Sequence, residues 1–423
     1  MAEPLATPAQ AKAPSAQGNY SVSKGKPSDA DEKPVKNLRI RFWGVQGSCP
    51  LFPEYYEVEE YNRMIARELI GKILNDLQHH ISNGGSCTVE DILGGPVNDT
   101  NIAAYQQRLG DSTLPVYGGD TTCISIETPD GDTIVIDGGS GIRNCSKFYT
   151  QRWPADKPRQ VFIFGTHEHL DHRSGLPFSQ FCFLRPPFTL HVYGSAQFLH
   201  ALDQRYGIFS RQLGPSAHLD DPIDYRVMAA NFNGYELRND NIPDARRAPG
   251  PLSWPVLDVN DPIRIHGTTI TAFDVYHGAT RCLAYKIQHG PATFLFCTDH
   301  ELRHGKPDDP RQAASLAAEE RIRAHCRGVD AAYFDGQYFR DEYNGTKGIG
   351  VTMAVSRVDW GHGCVEDVIQ RTAETGMKKV FIGHHDPERT WYAKLELGRW
   401  IEQQCFGKPY TIELAKSEDV IDL

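Results

Sequence analysis

The chain has 423 residues, 40% hydrophobic and 23% charged, a balance that suits one large or two modest globular units and excludes a chain too polar to build a core. Lys plus Arg number 44 against 54 for Asp plus Glu, and the net charge of −10 argues against a protein that wraps extended nucleic acid, where affinity comes from neutralising many phosphates. No apolar run reaches membrane-spanning length, and the N-terminal stretch lacks the apolar segment of a secretory signal, so the expected compartment is the cytoplasm.

Residues 1–36 are rich in Ala, Pro, Ser and Lys, which predicts a disordered tail before one globular domain over 37–423. In LRIRFWGVQGSCP, Leu38, Ile40, Phe42 and Val45 suggest a strand that ends in a Gly-rich turn. Residues 55–81 place Met64, Ile65, Leu69, Ile73, Leu74 and Leu77 at helical spacing and charges on the other faces, so a long amphipathic helix is expected. VNDTNIAAYQQRL adds a shorter helix, and the two together read as a helical insertion over about 54–115. Its size fits a lid or a homodimer face.

Two β-branched runs in TTCISIETPDGDTIVIDGGSGIR flank Pro129–Asp130–Gly131–Asp132, which predicts a hairpin. Strands follow at QVFIFGT and, after a helical interval, FTLHVYG; then come RIHGTTITAFDVYH, LAYKIQH and ATFLFCTD. A helix at PRQAASLAAEERIRAHCRG precedes the strand VDAAYFD, the helix VEDVIQRTAETG, the strand KKVFIGHH and a last helix, TWYAKLELGRWIEQQC. Runs of strands with helices before or after them predict two sheets with flanking helices. Ten cysteines without a C-x-x-C pair read as free thiols, most of them small buried hydrophobes.

The densest chemistry lies in VFIFGTHEHLDHRSG, where a buried-strand pattern runs into His167, His169, Asp171 and His172. Imidazole nitrogen and carboxylate oxygen are the ligands that zinc and similar ions take. Residues two apart on an extended segment point the same way, so His167 and His169 can share one ion, while Asp171 and His172, past the turn, can face a second.

This quartet resembles the H-x-H-x-D-H motif of the metallo-β-lactamase superfamily. RFWGVQGSCP, YGGDTTCISIETPDGDTIVIDGGSGIR, THEHLDHRSGLPF, YHGATRCLAYKI, FLFCTDHE, WGHG and VFIGHHDPE occur in the order of its ribonuclease Z and cyclic-nucleotide phosphodiesterase branch, from about Leu38 to His385. The helical segment and residues 231–261 look like insertions against that pattern. The resemblance implies an αββα four-layer sandwich with a dinuclear site at one edge, holding two divalent ions, zinc first and manganese or iron as alternatives. It also implies that His277 joins His167 and His169 on one ion and His384 joins Asp171 and His172 on the other, with Asp299 bridging. Of the adjacent His384 and His385, it favours the former as ligand. His362 matches a family histidine that stabilises the transition state or protonates the leaving oxygen. Gly363 stands where most relatives have Ser or Thr, and Asp335 of DGQYF is the expected orienter of His362. Asp137 is expected to orient a ligating histidine.

The function implied is hydrolysis of a small phosphodiester or nucleotide by water activated between the ions, with Asp171 and His362 as the catalytic residues. The alternatives are ribonuclease Z-like 3′ processing of RNA, hydrolysis of a lactam, lactone or thioester, and a non-catalytic binding module. The acidic charge and the lack of a long basic Gly/Pro-rich arm count against RNA, and the full ligand set counts against a binding module.

Overall fold

The computed structural model describes residues 34–85, 88–110, 112–153, 159–209, 228–241, 253–305 and 308–423. The expected disordered tail lies outside them save for its last residues.

Two sheets form the centre. In chain order the strands of the first are β1 (Arg39–Gly44), β2 (Cys123–Glu127), β3 (Thr133–Ile136), β4 (Gln160–Phe164), β5 (Thr189–Gly194), β6 (Asn231–Arg238) and β7 (Val256–Asp258). The second holds β8 (Ile263–Ile265), β9 (Thr268–His277), β10 (Thr280–His289), β11 (Ala292–Cys297), β12 (Ala331–Asp335), β13 (Lys379–Gly383) and β14 (Thr411–Leu414). A last strand, β15 (Val420–Asp422), returns to the first sheet and pairs antiparallel with β1. The orders are β15-β1-β2-β3-β4-β5-β6-β7 and β14-β13-β12-β11-β10-β9-β8. Neighbours from β3 to β7 and from β11 to β14 run parallel, so their C-terminal ends share one edge of each sheet.

The helices are α1 (Tyr55–Ser82), α2 (Val89–Leu93), α3 (Asp99–Leu109), α4 (Ile142–Arg152), α5 (Ala196–Tyr206), α6 (Pro310–Cys326), α7 (Arg340–Tyr343), α8 (Val365–Thr375) and α9 (Trp391–Cys405). The two-residue period of a strand explains the layering. On β4, Phe162 and Phe164 enter the core between the sheets, where they meet Tyr285 and Phe296 from the second sheet. Val161 and Ile163 point the other way, into a cluster with Ile142 and Cys145 of α4 and Leu199 and Leu202 of α5. On the far side, Leu295 and Cys297 pack with Ile322 of α6, Val368 of α8 and Ile401 of α9. The result is the expected αββα sandwich.

Two expectations need adjustment. The helical interval after β4 is a set of 3₁₀ turns at Leu170–His172, Leu176–Phe178 and Gln180–Phe183 rather than an α-helix. Residues 231–238 form β6, hydrogen-bonded to β5, so the first part of the expected insertion is integral to the sheet. Helix α1 keeps its apolar stripe, but none of its residues is fully buried. Every cysteine among the described residues is a free thiol.

Candidate metal centre

The seven residues that the motif reading singles out converge at the strand ends. His167, His169, Asp171 and His172 follow β4; His277 ends β9; Asp299 follows β11, and His384 follows β13. Donor atoms of His167, His169, His277 and Asp299 lie within 4.8 Å of one another, and so do those of Asp171, His172 and His384. Asp299 touches both groups through different oxygens. Its Oδ2 is 3.5 Å from His167 Nε2 and 3.7 Å from His277 Nε2. Its Oδ1 is 3.4 Å from His172 Nε2 and 3.2 Å from His384 Nε2. Asp171 Oδ2 lies 3.2 Å from both His172 Nε2 and His384 Nε2.

The far side of each ring is held by the protein. His172 Nδ1 meets Asp137 Oδ2 at 2.7 Å, and Asp137 Oδ1 also accepts the Thr166 N–H at 2.8 Å. His167 Nδ1 faces Thr166 Oγ1 at 3.0 Å, and His277 Nδ1 meets the Gly361 carbonyl at 2.8 Å. The Ser48 N–H donates to Asp171 at 2.8 Å. Asp137, Asp299 and His384 hold φ of 61°, 50° and 54°, a left-handed backbone uncommon outside glycine that turns each side chain at its strand end. A Cβ on Gly47 would lie 2.5 Å from His384 Nδ1, so the turn of GVQGS packs flat on that ring.

His385 turns away, and its Nε2 meets the Ala415 carbonyl at 2.9 Å. Burial holds its imidazole neutral, down to about 3. His362 Nδ1 meets Asp335 Oδ2 at 2.9 Å, and its ring stacks on His384 with centroids 4.9 Å apart. Burial opposes its protonation, but Asp335 and then Asp299 raise it to about 9.

Burial and the neighbouring cationic ring of His172 hold His167 well below the ordinary histidine range. Burial likewise takes His277 down to about 3. Burial alone would raise Asp171 and Asp299, but the histidines around each hold both well below the ordinary carboxylate range. The buried His167 Nε2 has no hydrogen-bond partner although it points at Asp299. An unpartnered buried nitrogen, the neutral imidazoles of His167 and His277 and the ionised carboxylates are the state that metal ligands must adopt, so the residues fit divalent cations. Against burial, the carboxylates of Asp171, Asp299 and Asp137 favour a charged His172 ring, whose proton a bound cation would displace.

Sequence reading misses Thr166, Glu301 and the Gly361 carbonyl. Glu301 accepts the Asp359 and Gly361 N–H groups, each at 2.9 Å, and the Tyr343 hydroxyl, which fixes the loop that meets His277 and carries His362. Its position two residues past Asp299 was the only signal. His300 pairs with Glu319 instead.

An αββα sandwich with a His/Asp cluster at the C-terminal strand ends defines the metallo-β-lactamase fold. The family model described as Beta-lactamase superfamily domain matches residues 132–385, and the chain belongs to that superfamily. Among solved structures, a diphosphatase from the PhnP family is 13% identical, with 92% of this chain and 97% of that one covered and a TM-score of 0.46. Zn²⁺-bound PqqB from Methylobacterium extorquens is 13% identical, with 91% and 100% covered and a TM-score of 0.49. Unliganded yeast PDE1 is 13% identical, with 74% and 97% covered and a TM-score of 0.46. No curated protein sequence matches the chain. No helix among the described residues is long and apolar enough to cross a membrane.

Proposed function

We propose that the protein is a metal-dependent phosphodiesterase that holds two divalent cations and hydrolyses a small phosphodiester, such as a cyclic nucleotide. The observation that carries this reading is Asp299, whose two oxygens face two separate donor groups. His167, His169 and His277 with Oδ2 would hold one cation, and Asp171, His172 and His384 with Oδ1 the other. Paired divalent cations lower the pKa of water and withdraw charge from phosphoryl oxygens. Zinc suits the His-rich set, with manganese or iron as alternatives.

The chain's own residues supply the rest. Asp137 and the Gly361 carbonyl fix ring orientation, so that Nε2 of His172 and His277 faces inward. Asp335 occupies Nδ1 of His362, which leaves Nε2 as the atom that gives a proton to the leaving alkoxide.

The test is a hydrolysis screen of the metal-loaded protein against cyclic nucleotides, bis(p-nitrophenyl) phosphate, precursor transfer RNA and a lactam. Turnover of the two small phosphodiesters is expected. Turnover of the RNA or the lactam alone would overturn the reading.

A further inference from the structure

Beside the segment Pro50–Pro53, which follows the GVQGS turn, lies an apolar pocket of about 400 Å³. Phe52, Val58, Tyr61, Tyr117 and Trp391 supply much of its wall. Tyr61 meets Trp391 edge-on with ring centroids 4.8 Å apart. The volume and the aromatic lining are those of a small-molecule site. Its charged groups are two cations and two carboxylates: Lys394, Arg143, Glu57 and Asp120.

The carboxylates are already committed. Glu57 accepts the Trp391 N–H at 2.8 Å and the Glu54 N–H at 2.9 Å. Asp120 accepts from Ser140 Oγ at 2.7 Å and Asn144 Nδ2 at 3.0 Å. The cations are not. Lys394 is 2% exposed, and its ammonium donates to one described acceptor, Gln46 Oε1, at 2.9 Å. An ammonium has three N–H bonds; no described carboxylate lies within ion-pair distance of this one, and burial lowers it to about 8 although Glu57 and Asp386 favour its charge from further off. Arg143 stands exposed, and its guanidinium makes no hydrogen bond or ion pair with a described residue.

We propose that this pocket is a second ligand site, for an amphipathic monoanion whose aromatic or aliphatic body fills the apolar wall and whose carboxylate, sulfonate or phosphate ester meets Lys394, with Arg143 as the outer cation. The pocket also touches the metal-centre scaffold. Gln46 bonds the His385 carbonyl as well as Lys394, and the Tyr117 ring packs edge-on against His385. The proposal stands apart from the phosphodiesterase reading, because it is read by binding alone.

The experiment is fluorescence titration of the full chain with 8-anilinonaphthalene-1-sulfonate and with its uncharged analogue N-phenyl-1-naphthylamine. The sulfonate should bind once per chain and about tenfold more tightly than the analogue, the effect of one charge-assisted contact. Lys394→Met should abolish that preference and leave the analogue unchanged, Arg143→Gln should weaken only the sulfonate, and Val58→Trp should block both. Excess inorganic phosphate should not displace the sulfonate. Equal affinity for the two probes, a preference that survives Lys394→Met, or displacement by phosphate would each overturn the proposal. Should Lys394→Met fail to fold, the Arg143 and Val58 variants decide it: probe binding unchanged in both would overturn it.

Discussion

Asp299 Oδ1 and His384 Nε2 meet at 3.2 Å, and both residues hold the left-handed backbone, at φ 50° and 54°. They follow β11 and β13, with β12 between them in the sheet. Two strained residues at strand ends on either side of β12 would relax unless the surroundings fixed them, and here they aim a carboxylate and an imidazole at one point.

Metal content follows from that arrangement. The purified, reconstituted protein should hold about two divalent ions per chain, as a paired site requires. Asp299→Ala removes a ligand from both groups and should lose most of both ions, whereas His169→Ala should weaken one. Elemental analysis after reconstitution checks this, and full metal in Asp299→Ala would rule out the shared role.

His362 should separate binding from chemistry. His362→Ala should retain metal while lowering kcat by roughly 10²–10⁴ on a substrate with a poor alkoxide leaving group, the range for a lost general acid. A p-nitrophenolate ester needs little protonation and should suffer much less. Asp335→Asn should follow the same pattern with a smaller loss. Equal losses on both substrates with a lowered melting temperature would make His362 a packing residue.

Gly361 is a tight point beneath the site. Its φ is 90°, and an added Cβ would lie 2.0 Å from His277 Nδ1. Gly361→Ala should cost about 1–3 kcal/mol through backbone strain and weaken the ion that His277 would hold. Denaturant unfolding with metal analysis reads both, and a variant unchanged in each would contradict the packing.

Glu319 is a test in acid. Burial would raise its carboxyl, but Arg371 and His300 hold it well below the usual range. A carboxylate with a depressed folded pKa contributes stability above its unfolded value near 4.3, lost as pH falls through the folded value. Glu319→Gln leaves the buried Arg371 uncompensated and should cost about 3–5 kcal/mol at pH 7. The gap between the melting temperatures of variant and parent should narrow steadily in acid, and a constant gap from pH 7 to pH 2 would exclude the linkage.

Much of this architecture was legible because local chemistry dictates it. The PDGD turn between β-branched runs becomes the β2–β3 hairpin, with Gly131 at φ 83°. The apolar run before His167 becomes β4, whose alternation divides two cores. Other elements escaped: the short strands β14 and β15 offer too few residues to show a period, and α4 and α5 were not picked out although each has a clear apolar face, with Ile142, Cys145 and Tyr149 buried on one and Phe198, Leu199 and Leu202 on the other. The stripe of α1 was readable, yet its burial depends on what packs against it, which a period does not state. In the site, the motif histidines announce themselves, but the Gly361 carbonyl meets His277 across 84 residues of chain. Such a contact is a property of the folded backbone and leaves no local trace.

The pairing of β15 with β1 also has a cost during synthesis. Arg39 on β1 and its ion-pair partner Asp422 on β15 are separated by 383 residues. At ribosomal speeds that separation is a delay of roughly 20–80 s. Throughout it β1 presents an open row of N–H and C=O groups on that side, the kind of edge that recruits foreign strands. A nascent chain halted shortly before residue 420 would therefore be more prone to aggregate than the finished protein, and more in need of a chaperone.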